Sequence, residues 1–164
     1  MFDSLKKIFG GGGEKEREKI LSPMEGRVVN LSEVNDPTFS QEILGKGVAI
    51  IPEKGRVVAP ADGILTVMFE TRHAVSLTTL KGAEIIIHVG LDTVNLKGDH
   101  YTAYKKQGDR VKAGELLLEF DMEAIKEAGY DVITPIIVCN TPDYPDMVCL
   151  SGKQVRELET IIEL

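Results

Sequence analysis

The stretch "RHAVSLTTLKGAEIIIHVGLD", residues 72–92, sets two aliphatic, β-branched runs on either side of "TLKG" and puts a histidine near each outer end. Residues 72–78 and 84–90 read as the strands of one hairpin, because such runs bounded by a Gly-containing turn favour extended backbone. Side chains alternate between faces along a strand. His88 therefore shares a face with Glu84 and Ile86, while Ile85, Ile87 and Val89 face the other way, and His73 shares a face with Val75 and Leu77. A two- or four-residue loop centred between Leu80 and Lys81 gives opposed residues an index sum of 161, which His73 and His88 satisfy. On that register the imidazoles oppose each other with Cβ atoms about 4.5–5.5 Å apart. One residue of slip, as from a bulge at Gly82, puts them on opposite faces.

The same punctuated pattern runs through most of the chain: "GRVVNL", "GVAIIP", "GRVVAP", "GILTVMF", "ELLLEF" and "DVITPIIVC" are short β runs separated by Gly and Pro. Such spacing predicts an all-β sandwich or barrel. "MFDSLKKIF" at 1–9 reads as a short helix, and within 20–164 a helix is predicted only over "MEAIKEAG", residues 122–129, with Gly129 as its stop. "LSPMEGRVVNL" at 21–31 repeats as "VAPADGILTVM" at 58–68, and the shared Gly26 and Gly63 read as turn positions needing positive φ. "GDRVKAGELLLEFD" at 108–121 is a third echo with the form of a hairpin. Repeats of this kind occur in lipoyl and biotinyl carrier domains, but no lysine sits at a Met-Lys-Met-like hairpin tip. That argues against those two carriers.

With 164 residues, 43% of them hydrophobic and 27% charged, the chain reads as one ordinary domain with a real core. "MFDSLKKIF" at 1–9 reads as an amphipathic segment able to contact an anionic membrane surface. The "GGGG" and charge run over 10–19 read as a flexible linker, and 20–164 as the folded domain. No apolar run approaches the about 20 residues that cross a bilayer and no signal peptide is present, which predicts a cytoplasmic protein. The net charge of −7 argues against nucleic-acid binding. Cys139 and Cys149 lie in no C-x-x-C pair and read as reduced, mostly packed thiols.

An opposed histidine pair has three uses. Each ring can be structural, the two can be half of a zinc site, or one can attack phosphorus while the other steadies the phosphoryl oxygens. In "HVGLDTVNLKG" the backbone around Gly90 offers a carbonyl for Nδ1–H of His88, which frees Nε2, and Asp92 can reach the rim. No phosphate-binding Walker loop or kinase motif is present, so ATP is not the phosphate source.

"FETRHAVSL" and "IIIHVGLDTVNLKG", with "SPMEGRVVNLSEVNDPTFS" and "GVAIIP…VVAPADG" before them, resemble the glucose-family enzyme IIA of the bacterial phosphoenolpyruvate:sugar phosphotransferase system. The resemblance covers residues 20–164, as a single EIIA type-1 domain. It implies a barrel-sandwich of the duplicated hybrid motif type with short helical segments. It also implies a phosphocarrier that takes a phosphoryl group from the small carrier HPr and passes it to a cysteine of a sugar-specific IIB or IICB permease, with no required cofactor. His88 is then the phosphohistidine, His73 the transition-state stabiliser, and Thr71 the hydrogen-bond partner of His73. Asp36 and Asp92 correspond to acidic residues beside the site; Phe39, Phe69, Val75 and Ile86 correspond to an exposed apolar partner-binding rim. His73 and His88 are also candidate zinc ligands, whereas His100 lies outside the motif and reads as a loop histidine. The alternative is a lysostaphin-type zinc endopeptidase, against which stands the lack of any H-x-H.

Overall fold

A computed structural model describes residues 16–164. The amphipathic segment over 1–9 and most of the linker over 10–19 lie outside the described residues. The first strand, β1 (Lys19–Leu21), opens one residue earlier than expected, so Lys19 pairs with Glu163 instead of ending the linker.

The remaining strands follow in chain order. They are β2 (Gly26–Asn30), β3 (Lys46–Pro52), β4 (Arg56–Val58) and β5 (Gly63–Met68), then β6 (Ala74–Thr79), β7 (Glu84–His88), β8 (Tyr101–Ala103) and β9 (Arg110–Val111). The last five are β10 (Leu116–Phe120), β11 (Thr134–Val138), β12 (Val148–Cys149), β13 (Lys153–Val155) and β14 (Thr160–Glu163). An eight-stranded sheet runs β9-β5-β6-β7-β11-β3-β2-β13, and two three-stranded sheets, β4-β10-β8 and β12-β14-β1, complete a sandwich-like, mostly β fold. Every expected β run contains a strand.

The main core lies on one face of the large sheet, where Val28, Ile50, Leu65, Leu77, Ile85, Ile87 and Ile136 are buried. The opposite face of its central strands is covered as well: Val29, Ala49 and Ile137 pack with Leu31, Val34 and Phe39 from the segment after β2, and Ile86 leans on the same cluster. Burial on both faces explains why "EIIIHVG" and "TPIIVC" read as unbroken apolar runs. It also places His88, with Ile86, on the outer face.

Among the described residues two α-helices are present. α2 (Met122–Glu127) is the expected one: Asp121 caps it by accepting from the Ala124 N–H at 3.1 Å, and Gly129 ends it at φ 95°. α1 (Pro37–Ser40) was not expected, since four residues carry no readable apolar period. Its signal is local: Asp36 accepts from the Thr38 N–H and Pro37 occupies the first turn.

The internal repeat is a structural duplication. Leu21 N–H donates to the Pro60 carbonyl at 2.9 Å, and the matching Val58 N–H donates to the Pro23 carbonyl at 2.8 Å. The third echo is different from the hairpin expected. β9 pairs with β5 while β10 pairs with β4 and β8, so the two strands of 108–121 enter different sheets. Its counterpart is 152–164: Gly108 donates to Leu65 at 2.7 Å, and Gly152 donates to Val28, the equivalent of Leu65, at 2.8 Å.

Gly26 and Gly63 also differ from expectation, because neither has a positive φ. Both open strands whose antiparallel neighbours come close, and a Cβ would stand 2.2 Å from the Ile51 carbonyl oxygen at Gly26 and 2.2 Å from that of Thr78 at Gly63. Close approach, and not turn geometry, excludes a side chain there. Gly26→Ala and Gly63→Ala should each lower stability by about 1–3 kcal/mol or more, as over-packing against an immovable backbone does. Urea unfolding midpoints of the two variants check this.

Candidate active site

The loop between β6 and β7 is Leu80-Lys81-Gly82, closed by the Thr79 N–H to the Ala83 carbonyl, with Gly82 at φ 100°. A three-residue loop with its last position left-handed is a common hairpin solution. It shifts the register by one from the even-numbered loop expected. His88 therefore opposes Ala74, and not His73.

The two rings meet nevertheless, because His73 lies outside the ladder. Arg72 adopts φ 59° and donates its N–H to the Phe69 carbonyl at 2.7 Å, so the chain turns just before β6 and strand alternation does not reach His73. The His73 carbonyl accepts from the Val89 N–H at 2.7 Å. The ring centroids of His73 and His88 end 4.8 Å apart, with planes at 84°.

Each ring has one nitrogen engaged. His88 Nδ1 lies 2.8 Å from the Gly90 carbonyl oxygen. A carbonyl only accepts, so Nδ1 carries the proton and Nε2 presents a lone pair, as expected from the sequence. His73 Nδ1 lies 2.6 Å from Thr71 Oγ1. Burial, with a smaller contribution from the neighbouring His88, lowers the His73 pKa to about 4. His88 is also held below the usual imidazole value, by burial above all; the Gly90 carbonyl and the carboxylates of Asp36 and Asp92 oppose that shift. Two neutral imidazoles thus stand edge to face, one of them with a free lone pair on Nε2.

Aromatic walls flank the pair. Phe39 packs on His88 with centroids 5.1 Å apart, and Phe69 on His73 at 5.5 Å. Asp36 reaches the site as the N-cap of α1, and Asp92 from a left-handed position at φ 59° just after β7.

The expected apolar rim is only partly exposed. Val75 is fully buried on the core face opposite Ile87, and Phe39 is 4% exposed. Phe69 and Ile86 are half-buried. The exposed apolar side chains adjoining these elements are Ile43 and Leu44 after α1 and Val94 after Asp92. Sequence reading passed over them because single exposed aliphatics carry no pattern. It also passed over the buried Thr93 and Tyr101, whose hydroxyls both donate to the Val89 carbonyl, at 2.7 and 2.8 Å. His100 is exposed at φ 75° and makes none of the ring contacts. Cys139 is exposed and not packed, Cys149 is half-buried, and both are free thiols.

For metal, the donor set is thin. Among the described residues no group of three or more His, Cys, Asp or Glu side chains could hold an ion. Among the same residues no helix is long and apolar enough to cross a membrane.

Comparison with known proteins agrees with this geometry. Residues 18–144 match the family described as phosphoenolpyruvate-dependent sugar phosphotransferase system, EIIA 1. The chain is 55% identical over 151 residues to the beta-glucoside-specific EIIBCA component of Bacillus subtilis, covering 92% of this chain and 25% of that protein. It thus spans about a quarter of the length of such fused relatives. It is 45% identical over 166 residues to the glucose-specific EIIA component of Oceanobacillus iheyensis, covering 99% of this chain and 97% of that protein. The solved structure of glucose permease IIA from Mycoplasma capricolum superposes with a TM-score of 0.82 at 32% identity, over 91% of this chain and 96% of that one. These matches leave the zinc endopeptidase alternative without support. By residues, fold and kinship alike, the chain belongs to the EIIA 1 family of the phosphoenolpyruvate-dependent sugar phosphotransferase system.

Proposed function

We propose that this domain carries a phosphoryl group on Nε2 of His88, taking it from the histidine of phospho-HPr and giving it to a cysteine of a IIB domain during cytoplasmic uptake of glucose or a β-glucoside. The observation that carries the reading is the free Nε2 of His88 beside a second neutral imidazole at 4.8 Å. In the first half-reaction the Nε2 lone pair forms the N–P bond as the bond from phosphorus to the donor nitrogen breaks. In the second, the cysteine thiolate takes the phosphoryl and His88 recovers its lone pair. Phosphoryl transfer passes through a loose, charge-spread transition state, so positioning and electrostatics supply most of the catalysis.

Each neighbour then has a task. With the Thr71 hydroxyl as donor to Nδ1 of His73, the His73 proton sits on Nε2, where it can donate to a phosphoryl oxygen. Asp36 and Asp92 raise the basicity of His88 but repel the charge of a bound phosphoryl group, which favours handing it on. The chemistry needs no resident metal or other cofactor. Partner docking falls to the exposed aliphatics beside the site, with the half-buried Phe69 and Ile86.

Incubation with phosphoenolpyruvate, enzyme I and HPr, followed by intact-mass measurement, tests the reading. One acid-labile phosphate per chain is expected, and none would overturn it. Val94→Asp, half exposed beside Asp92, should raise the KM for phospho-HPr at least about tenfold, the cost of roughly 1.4 kcal/mol of lost docking, and leave the melting temperature unchanged.

The lowered imidazoles set a pH dependence of stability. Between about pH 4 and 6.5 the unfolded chain binds a proton at His73 that the native state refuses. Stability is therefore full above the upper bound and falls as pH drops through that window, by up to about 1.4 kcal/mol per pH unit for this imidazole. His88 adds a slope of the same sign. Urea midpoints measured across this range should fall toward acid, and less steeply in His73→Gln.

A further inference from the structure

Tyr101 is 3% exposed and takes no part in the proposed chemistry, yet it touches both histidine-bearing segments. Its hydroxyl donates to the Val89 carbonyl at 2.8 Å, one residue past His88. Its own carbonyl accepts from the Arg72 guanidinium at 3.2 Å, one residue before His73. A third contact closes the frame, the Val89 N–H to the His73 carbonyl at 2.7 Å. We propose that Tyr101 is a positioning residue that sets His73 and His88 in register with each other, doing through a turn what the strand ladder does not.

The ladder leaves this need unmet. β6 and β7 are paired so that His88 opposes Ala74, and the approach of the two rings depends on a left-handed turn at Arg72 that lies outside the sheet. A left-handed non-glycine residue is strained and persists only where contacts over-determine it. The Arg72 guanidinium, held by the Tyr101 carbonyl and packed 3.7 Å from where a Gly98 Cβ would stand, supplies such a contact. On the other side, the Val89 carbonyl belongs to the peptide unit that leads into Gly90. Fixing that plane anchors one side of Gly90, the Leu91 N–H to the Asp131 carbonyl at 3.0 Å anchors the other, and between them they aim the Gly90 carbonyl that holds the proton on Nδ1 of His88. Burial pushes the Tyr101 phenol up to about 12, so it remains a donor at any working pH. Thr93 shares the Val89 carbonyl at 2.7 Å, which should keep the loop folded when the phenol is removed.

The kinetic part of this inference rests on His88 as the phosphoryl acceptor; the spectroscopic part does not. Tyr101→Phe removes only the arm toward His88, and Arg72→Met only the arm toward His73. Nitrogen-15 spectra of the unphosphorylated protein should show the Nδ1-protonated tautomer of His88 losing population in Tyr101→Phe. The kcat for acceptance from phospho-HPr should fall about tenfold, as sub-ångström misplacement of reacting groups does, with KM unchanged. The double variant should lose less than the product of the single losses, because both arms act through one frame. Wild-type tautomer ratios and kcat in both single variants would overturn the proposal, even if thermal stability fell. A wild type that accepts no phosphoryl group would overturn the proposed function alone, and the tautomer measurement would still decide the role of Tyr101.

Discussion

His88→Ala should accept no phosphoryl group from phospho-HPr, a loss to the detection limit, while remaining folded. The side chain sits at the end of β7 on the outer face, half-buried, so its removal opens a small void beside Phe39 without unpairing the ladder. Nothing nearby can replace it. His73 is the other imidazole, but in the proposed arrangement Thr71 donates to its Nδ1, so that Nε2 carries the proton and offers no lone pair. Thr71 itself is a weak nucleophile with no base free to activate it. Intact mass after incubation with phosphoenolpyruvate, enzyme I and HPr reads the outcome, and circular dichroism confirms the fold. An acid-labile phosphate on the variant would sink the assignment of His88. The same variant carries an internal check: removing the neighbouring imidazole should raise the pKa of His73 from about 4, since His88 contributes to its depression. The rise should be partial, because burial is the larger cause.

His73→Gln should separate the two half-reactions. Glutamine can still present an N–H near the phosphoryl oxygens, so part of the acceptance from phospho-HPr should remain. What it lacks is the orientation imposed on His73 by Thr71 at 2.6 Å and by the edge-to-face contact with Phe69. Passage to the IIB cysteine, where charge must be steadied as it leaves His88, should fall on the order of 10²–10³-fold, the cost of losing one preorganised donor. A rapid-quench assay with phosphorylated variant and purified IIB measures it. Onward transfer at the wild-type rate would make His73 a bystander.

Much of this site is legible in the chain because its signals are short-range. "HVGLD" places a carbonyl two residues from His88 whatever the rest of the fold does, and the tautomer follows from that spacing. "NDPT" contains the cap that orients Asp36, though a helix this short went unread for want of a period. The rim residues fared worse. Whether Val75 or Phe39 is exposed depends on what packs above it, and Val75 proves to lie wholly in the core while Phe39 seals a second cluster against His88.

The sequence by itself determined that the chain is β-built, that its two halves repeat, where its longer strands lie, and that His73 and His88 come together, since alternation, turn residues and motif spacing are local properties carried by neighbouring residues. The tertiary structure decided what depends on contacts between distant segments. Gly26 and Gly63 are required by carbonyls of the neighbouring paired strands and not by their own dihedral angles. The strands of 108–121 divide between two sheets. The imidazoles meet although their strands are out of register, because a loop one residue different in length moves the whole ladder and a single left-handed residue at Arg72 restores the contact. Register is a cooperative property of a sheet, and one residue of slip reverses every side chain.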